Sequence, residues 1–499
     1  MGDEAKTSLG VTAARGVGIL VSRTLVLQLL TAGVTLVLAR LLSPADYGLF
    51  ALAAAVQSVA QVASGAGLSA ALIRQPDDPT AQQQRAVSGF LFSTGLAFAA
   101  LTAAIALAAL PAAGVRAEAL GVIAVTAVAV PLYALRAVPM VLLERHLRFG
   151  RVAVVETAET LAFNAFALLG AIAGLGAYSL AGGVPAAAAA GLLAVRTLHR
   201  PGTGLAFDLG VVRPLAHFGL RASTLQGLNL VRGLGFVTLV TAVAGPATAG
   251  FYGMASRLFA FPTALASAVQ RVSFPALSRS LRERPRRAAR AAALSAIIAS
   301  LPLALLAGAS HTLVTVLLGE RWLPTVDLVL ASSAGILLGA SAIPAMVGLA
   351  LSQGRPNGPI VAVTASALAM IGFAALAVPA LDAAGVGLAM TIGAVVNVAV
   401  LAVYTERAMR SAIGPVAWAL AIGAIAVAVG YLPPLPETLL GLAARLVLVT
   451  TVWTSLALWL MRPVLLDALR VARPIVPPQL KRLVTWLPGT GIRRPSPPS

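Results

Sequence analysis

The sequence contains no cysteine. Disulfides, thiolate nucleophiles and cysteine metal sites are therefore excluded, and the redox compartment stays undecided. The four histidines, His146, His199, His217 and His311, are too scattered to form a ligand spacing, so neither a metal nor another cofactor is expected. Charged residues are only 11% of the 499 positions, against about 25% in a soluble domain. Aromatic residues are 5%, too few for the girdles of a membrane β-barrel. Lysine occurs only as Lys6 and Lys481, and neither follows a glycine-rich phosphate loop, which excludes an ATPase of that kind. No nucleophile–base pair and no pair of water-accessible acids is visible, so the chain does not read as an enzyme.

What abounds is apolar. Hydrophobic residues make up 59% of the chain and the mean hydropathy is +0.91. The class is an all-α integral membrane protein. Windows of about 20 apolar residues predict fourteen transmembrane helices near 17–39, 47–73, 86–110, 119–143, 152–174, 177–195, 215–243, 248–275, 288–308, 326–350, 359–381, 384–405, 415–433 and 439–461. The first apolar run continues as a span, with no cleavable leader expected. The sixth is rich in Ala and Gly, and the thirteenth is short.

The net charge of +19 first suggests nucleic acid, but no aromatics interleave with the charges. Placement explains it better. Of the 36 Lys and Arg, 26 fall on alternate connections and the termini, three (Arg40, Arg116 and Arg321) on the other set, and seven inside spans. The positive-inside rule then predicts both termini in the cytoplasm. The run "RSLRERPRRAAR" (279–290) reads as a cytoplasmic connector beside anionic lipid. The tail from Arg462 reads as short basic amphipathic helices on the inner leaflet, followed by a disordered end.

The chain also repeats itself. "LARLLSPADYGLFALA" (38–53) and "VTAVAGPATAGFYGMA" (240–255) align at an offset of 202, so that Pro44 meets Pro246 and Gly48 meets Gly250. "AYSLA" (177–181) and "GVGLA" (385–389) align at 208. Six spans separate the copies, so the halves share an orientation. Such a parallel repeat places a substrate cavity between two lobes. Residues 1–200 are expected to form an N-terminal six-helix lobe and 214–410 a C-terminal one, followed by a terminal helix pair over 411–461 and a cytoplasmic basic tail over 462–499.

Seven arginines lie within spans: Arg23, Arg136, Arg221, Arg232, Arg257, Arg271 and Arg445. A cation at mid-bilayer costs about 2.5–3.5 kcal/mol on insertion scales, so each needs a wet cavity, a partner or a nearby interface. Arg136, followed by Pro139, is expected at a broken helix end, and Arg445 is expected to snorkel or pair. Arg221 and Arg232 share a helix face, as do Gln57 and Gln61. Polar groups thus gather on the first, second, seventh and eighth spans, the equivalent leading helices of the two lobes. Against them stand two acids, Glu156 and Glu159, candidates for coupling to H+ or Na+, with an ion pair of Glu156 to Arg151 as the alternative. The interior is expected to be cationic and its guest an anion, best a phosphate or pyrophosphate, which arginine binds with a planar fork. The expected cavity residues are Arg23, Arg221, Arg232, Arg257, Arg271, Gln57, Gln61 and Asn229, with snorkelling to the head groups as the alternative for Arg221, Arg257 and Arg271, which lie near span ends.

Several segments resemble a known family. "LARLLSPADYGLFALA" is similar to the first-to-second span signature of bacterial polysaccharide flippases, in the polysaccharide-transporter branch of the multidrug/oligosaccharidyl-lipid/polysaccharide (MOP) superfamily. "LERHLRFGRVAVVE" (143–156) resembles that family's fourth-to-fifth loop. "GPATAGFYGMASRLFAFPTALASAVQRVSFPALSR" (245–279) resembles its eighth span, and "LLGERWLPTVDLVL" (317–330) the stretch before its tenth. One departure stands out: where the family often has an acid after the seventh-span Asn, this chain has Leu230 and then Arg232. The resemblance implies two six-helix lobes plus a terminal pair. It also implies undecaprenyl-pyrophosphate-linked oligosaccharide carried from the inner to the outer leaflet of a bacterial cytoplasmic membrane, with membrane lipids, a polysaccharide polymerase and glycosyltransferases as partners. The rival readings are a peptidoglycan-precursor flippase, a cation-coupled drug exporter, which would need acids in its lobes, and a non-transporting membrane scaffold.

Overall fold

The computed structural model describes residues 26–105 (without 66, 69–70, 73–74 and 76), 117–198, 204–267, 284–405, 410–462 and 464. The predicted positions Arg23 and Arg271 lie outside the described residues, as do nearly all of the basic tail and the first five residues (279–283) of "RSLRERPRRAAR".

The described residues form fourteen long helices and no strand. They are α1 (Val26–Leu41), α2 (Pro44–Gly65), α3 (Ala81–Ala104), α4 (117–145, with a turn at Val128), α5 (Phe149–Ile172) and α6 (Ala177–Leu198). Next come α7 (209–244) and α8 (246–267), then α9 (Arg284–Gly308) and α10 (324–352, stepped at Ser341). After them stand α11 (357–381) and α12 (383–404), and finally α13 (Arg410–Tyr431) and α14 (Leu439–Leu460). The Ala-rich sixth and the short thirteenth spans are both full helices of 22 residues, about 33 Å long and enough to cross the hydrocarbon.

Two pairs run on almost without a loop. Gly245 (φ 86°, ψ 173°) breaks α7 from α8, a backbone that glycine adopts without steric cost. Asp382 (φ 45°, ψ −120°) breaks α11 from α12. A carboxylate side chain there is strained, and Asp382 is held by a 2.6 Å bond donated by Thr248. These breaks, the 42–43 turn and the 173–176 turn share one end of the bundle, here called the turn face. The linker 204–208 lies at the other end, the linker face.

In lipid, hydroxyls must find partners within the protein. Most here bond the carbonyl one turn back, as Ser58 does to Ala54 (2.7 Å), Thr241 to Val237 (2.7 Å) and Ser332 to Leu328 (2.7 Å). Small residues let helices approach closely. On α6 a side chain at Gly182 would overlap Phe166, and one at Gly183 would come within 2.9 Å of Phe163. The small-residue run on α6 therefore serves close packing against α5. On the linker face, Ala206 donates to the Arg85 carbonyl (3.1 Å) and Gln82 donates to Asp208 (3.1 Å), while Asp208 caps α7 through the Gly210 amide (3.0 Å). The interlobe linker is thus fastened to the start of α3.

Candidate functional site

The four intramembrane arginines with described side chains fall into two kinds. Arg136 and Arg445 are structurally compensated. Arg136 sits inside an unbroken helical stretch (Ala129–Arg145) that passes through Pro139, which corrects the expectation of a broken end. Its Nη1 lies 2.7 Å from Glu159 Oε1, with both side chains mostly buried, and its guanidinium stacks 5.2 Å from the Tyr133 ring. Gly191 on α6 makes room, because a side chain there would overlap the Glu159 carboxylate. Arg445 is buried and donates to the carbonyls of Gly430 (2.8 Å) and Leu435 (3.3 Å). It satisfies the Gly430 carbonyl at the end of α13, where a cation also suits the helix dipole, and a carbonyl of the loop that follows.

Arg232 and Arg257 differ. Arg232 on α7 donates to Ser366 on α11 (3.1 Å) and lies near Tyr252 on α8. Arg257 on α8 reaches into the other lobe. It donates to Thr35 on α1 at 3.4 Å and lies over the rings of Tyr47 (5.1 Å) and Phe50 (5.9 Å) on α2. Every partner shown for these two guanidiniums is neutral. Cation–π contact contributes about 0.5–2 kcal/mol, which offsets part of the insertion cost but leaves the charge unbalanced. Beside Arg257, the hydroxyl of the buried Tyr47 has no partner among the described residues. An unpaired buried hydroxyl costs about 1–3 kcal/mol.

The other predicted residues are placed as follows. Gln57 is buried on α2, and Gln61 is half-buried one turn on. Asn229 is exposed on α7 and turns its amide back to the Leu225 carbonyl (2.9 Å). Arg221 lies on the helical backbone of α7. Glu156 is exposed on α5. Arg151 donates instead to the Leu198 carbonyl at the end of α6 (2.9 Å). Among the described residues no cluster of three potential metal ligands exists.

At the turn face the two lobes touch through the repeated segments themselves. A side chain at Gly48 would overlap the Pro246 carbonyl, and one at Gly250 would overlap the Pro44 carbonyl. The contact is reciprocal, as a two-fold relation requires. A second clasp lies beside it. Arg40 at the end of α1 donates to the carbonyls of Val316 (2.6 Å) and Leu317 (3.2 Å), Arg321 donates to the Arg40 carbonyl, and Trp322 Nε1 donates to the Ala39 carbonyl (2.9 Å). The Trp322 ring meets Tyr47 edge-on at 5.1 Å and Phe251 at 6.2 Å. Arg40, Arg321 and Trp322 were not anticipated as a contact between lobes. Their signal was present, since Arg40 and Arg321 are two of only three basic residues on the charge-poor connections.

The family profile described as "Polysaccharide biosynthesis protein" matches residues 37–327. The chain belongs to that family. The match covers both halves of the clasp and the arginines of α7 and α8. Among solved structures, this family member is similar to "Lipid II flippase MurJ, inward closed conformation", with a TM-score of 0.70 at 14% identity, over 90% of this chain and 100% of that one. It is also similar to an inward-facing "multidrug resistance MATE family transporter of the MOP superfamily", with a TM-score of 0.57 at 14% identity, over 79% and 94% of the two chains. At such identity these likenesses establish the fold. No curated protein matches the chain. The chain is thus a multi-pass helical protein of that family, built on a fold it shares with the Lipid II flippase and the MATE transporter.

Proposed function

We propose that this chain is a flippase for undecaprenyl-pyrophosphate-linked oligosaccharide, moving it from the inner to the outer leaflet of a bacterial cytoplasmic membrane by alternating access. The observation that carries this reading is the pairing pattern of the intramembrane arginines. Arg136 and Arg445 have structural partners, whereas Arg232 and Arg257, on the leading helices of the C-terminal lobe, have only hydroxyls and rings among the described residues. Two unbalanced cations at bilayer depth favour an anionic guest, and a guanidinium fork suits phosphate oxygens. Family membership supports a glycan pathway.

In this reading Arg232 and Arg257 hold the pyrophosphate, with Arg23, Arg221 and Arg271 as further candidates. Gln57, Gln61 and Asn229 contact sugar hydroxyls, and the isoprenoid stays in lipid. The linker face is cytoplasmic, as the loop charges suggest, so the closed turn face is the outer one. A polymerase and glycosyltransferases of the same pathway are the proposed partners. The coupling ion is proposed to be H+ or Na+. Glu159 in its ion pair and the exposed Glu156 are the carboxylates that could respond to it.

Translocation of fluorescent lipid-linked oligosaccharide in proteoliposomes tests the reading. Arg232→Ala and Arg257→Ala should each slow it strongly, and normal rates in both would remove the site. A second reading, transport of a peptidoglycan lipid precursor, is favoured by the fold likeness to the Lipid II flippase. Offering both lipids to the same vesicles separates the two.

A further inference from the structure

Arg257 stands in two structures at once. It belongs to the proposed head-group site, yet its partners Thr35, Tyr47 and Phe50 all lie on the opposite lobe. These partners are weak for a guanidinium: a hydroxyl at 3.4 Å and two ring faces at 5.1 and 5.9 Å. They are also joined to the closed turn face. Tyr47 precedes Gly48, which meets Pro246, and the Tyr47 ring packs edge-on against Trp322, which holds the Ala39 carbonyl.

We infer that Arg257 is a latch between the lobes that an anionic head group releases, with Tyr47 and Phe50 as its positioning residues. This rests on the pyrophosphate reading of the site. Phosphate oxygens offer the guanidinium two parallel charge-assisted bonds, which outcompete a ring face. A ligand can shift a conformational balance only through a difference in affinity. Here the difference arises because Arg257 cannot serve the aromatic perch and the phosphate equally well. Once it leaves, the closed crossing loses a cation bridge between the lobes. The Tyr47 hydroxyl, without a partner among the described residues in the closed form, gains freedom to find one.

The absence of cysteine makes a direct test available. A Cβ at Gly253 would lie 3.5 Å from the Ala51 Cβ, at the lower end of the range of about 3.5–4.5 Å that a disulfide spans. The full-length Ala51→Cys/Gly253→Cys protein in proteoliposomes is oxidised with copper phenanthroline, with and without geranylgeranyl pyrophosphate. Binding of the radiolabelled probe is measured in the same vesicles. Saturating probe should slow cross-linking about fivefold or more, while geranylgeraniol, which lacks the phosphates, should have no effect. Adding Tyr47→Leu and Phe50→Leu should slow cross-linking without ligand and abolish the response. Tyr47→Phe keeps the ring and should keep the response; loss of the response in the leucine variant with probe binding retained is the outcome that a merely structural role would not give. Should the leucine variant fail to assemble, Arg257→Lys, which keeps the charge without the fork, should show a reduced response. A probe that binds yet leaves cross-linking unchanged would overturn the latch and spare the site. A probe that does not bind would overturn the pyrophosphate reading, and the latch with it.

Discussion

Gly48 and Gly250, one from each repeat, cross so closely that each occupies the space over the other helix's leading proline carbonyl. No side chain fits at either place. Overpacking costs about 1–3 kcal/mol, enough to move a two-state balance roughly five- to hundredfold. Gly48→Ala and Gly250→Ala should therefore insert and fold but fail to close the turn face. Water-soluble thiol labelling of Ser43→Cys, installed in each background, should rise in both. Unchanged labelling would show that the crossing does not seal that end.

Trp322 contributes one indole hydrogen bond to the Ala39 carbonyl and two edge-on ring contacts. Trp322→Phe removes the hydrogen bond but keeps an aromatic ring, so it should cost about 1 kcal/mol. Trp322→Ala empties a fully buried site and should cost about 3–5 kcal/mol. Thermal melts of the detergent-solubilised protein should rank wild type, Trp322→Phe and Trp322→Ala in that order.

Arg136 and Glu159 form a mostly buried pair. Removing one partner strands the other charge and typically costs about 3–5 kcal/mol, whereas replacing both is far milder. Arg136→Gln should lower the melting temperature sharply, and adding Glu159→Gln should recover most of it. If Glu159 instead served mainly as a coupling carboxylate, Glu159→Gln would abolish ion-dependent transport and leave the melting temperature near that of wild type.

Asp78 on the linker face accepts bonds from Arg145 Nε (2.8 Å) and His146 Nε2 (3.4 Å), and these hold its carboxyl below the usual carboxylate range. A depressed folded value gives stability that is present above the unfolded value, about 3.9, and lost as the pH falls toward the folded one. The melting difference between wild type and Asp78→Asn should thus be flat above about pH 5 and shrink below about pH 4. Because Asp78 is exposed, the difference should be small and should diminish in salt.

Much of the architecture was legible because lipid imposes strict rules. Length and hydropathy located the spans, and the Pro44/Pro246 and Gly48/Gly250 register located the repeat. What the sequence could not show was that the repeated segments touch each other, since a repeat specifies equivalence and not contact. Nor could it tell that Arg136 sits opposite Glu159, 23 positions away on the next helix. Intramembrane arginines look alike in a string of letters, and only their partners separate a compensated Arg445 from an unbalanced Arg232. The Arg40 and Arg321 charges stand out on charge-poor connections, but the carbonyls they and Trp322 bond carry no sequence signature, so the clasp itself was not legible.

The fastening of residues 204–208 to α3 has a mechanical meaning. The connector between the lobes is anchored to the N-terminal lobe right up to Asp208, the residue that caps α7, with Gly89 pressed against Ala206. Almost no slack remains in it. Any swing that parts the turn face must therefore keep the first turn of α7 tethered beside the first turn of α3.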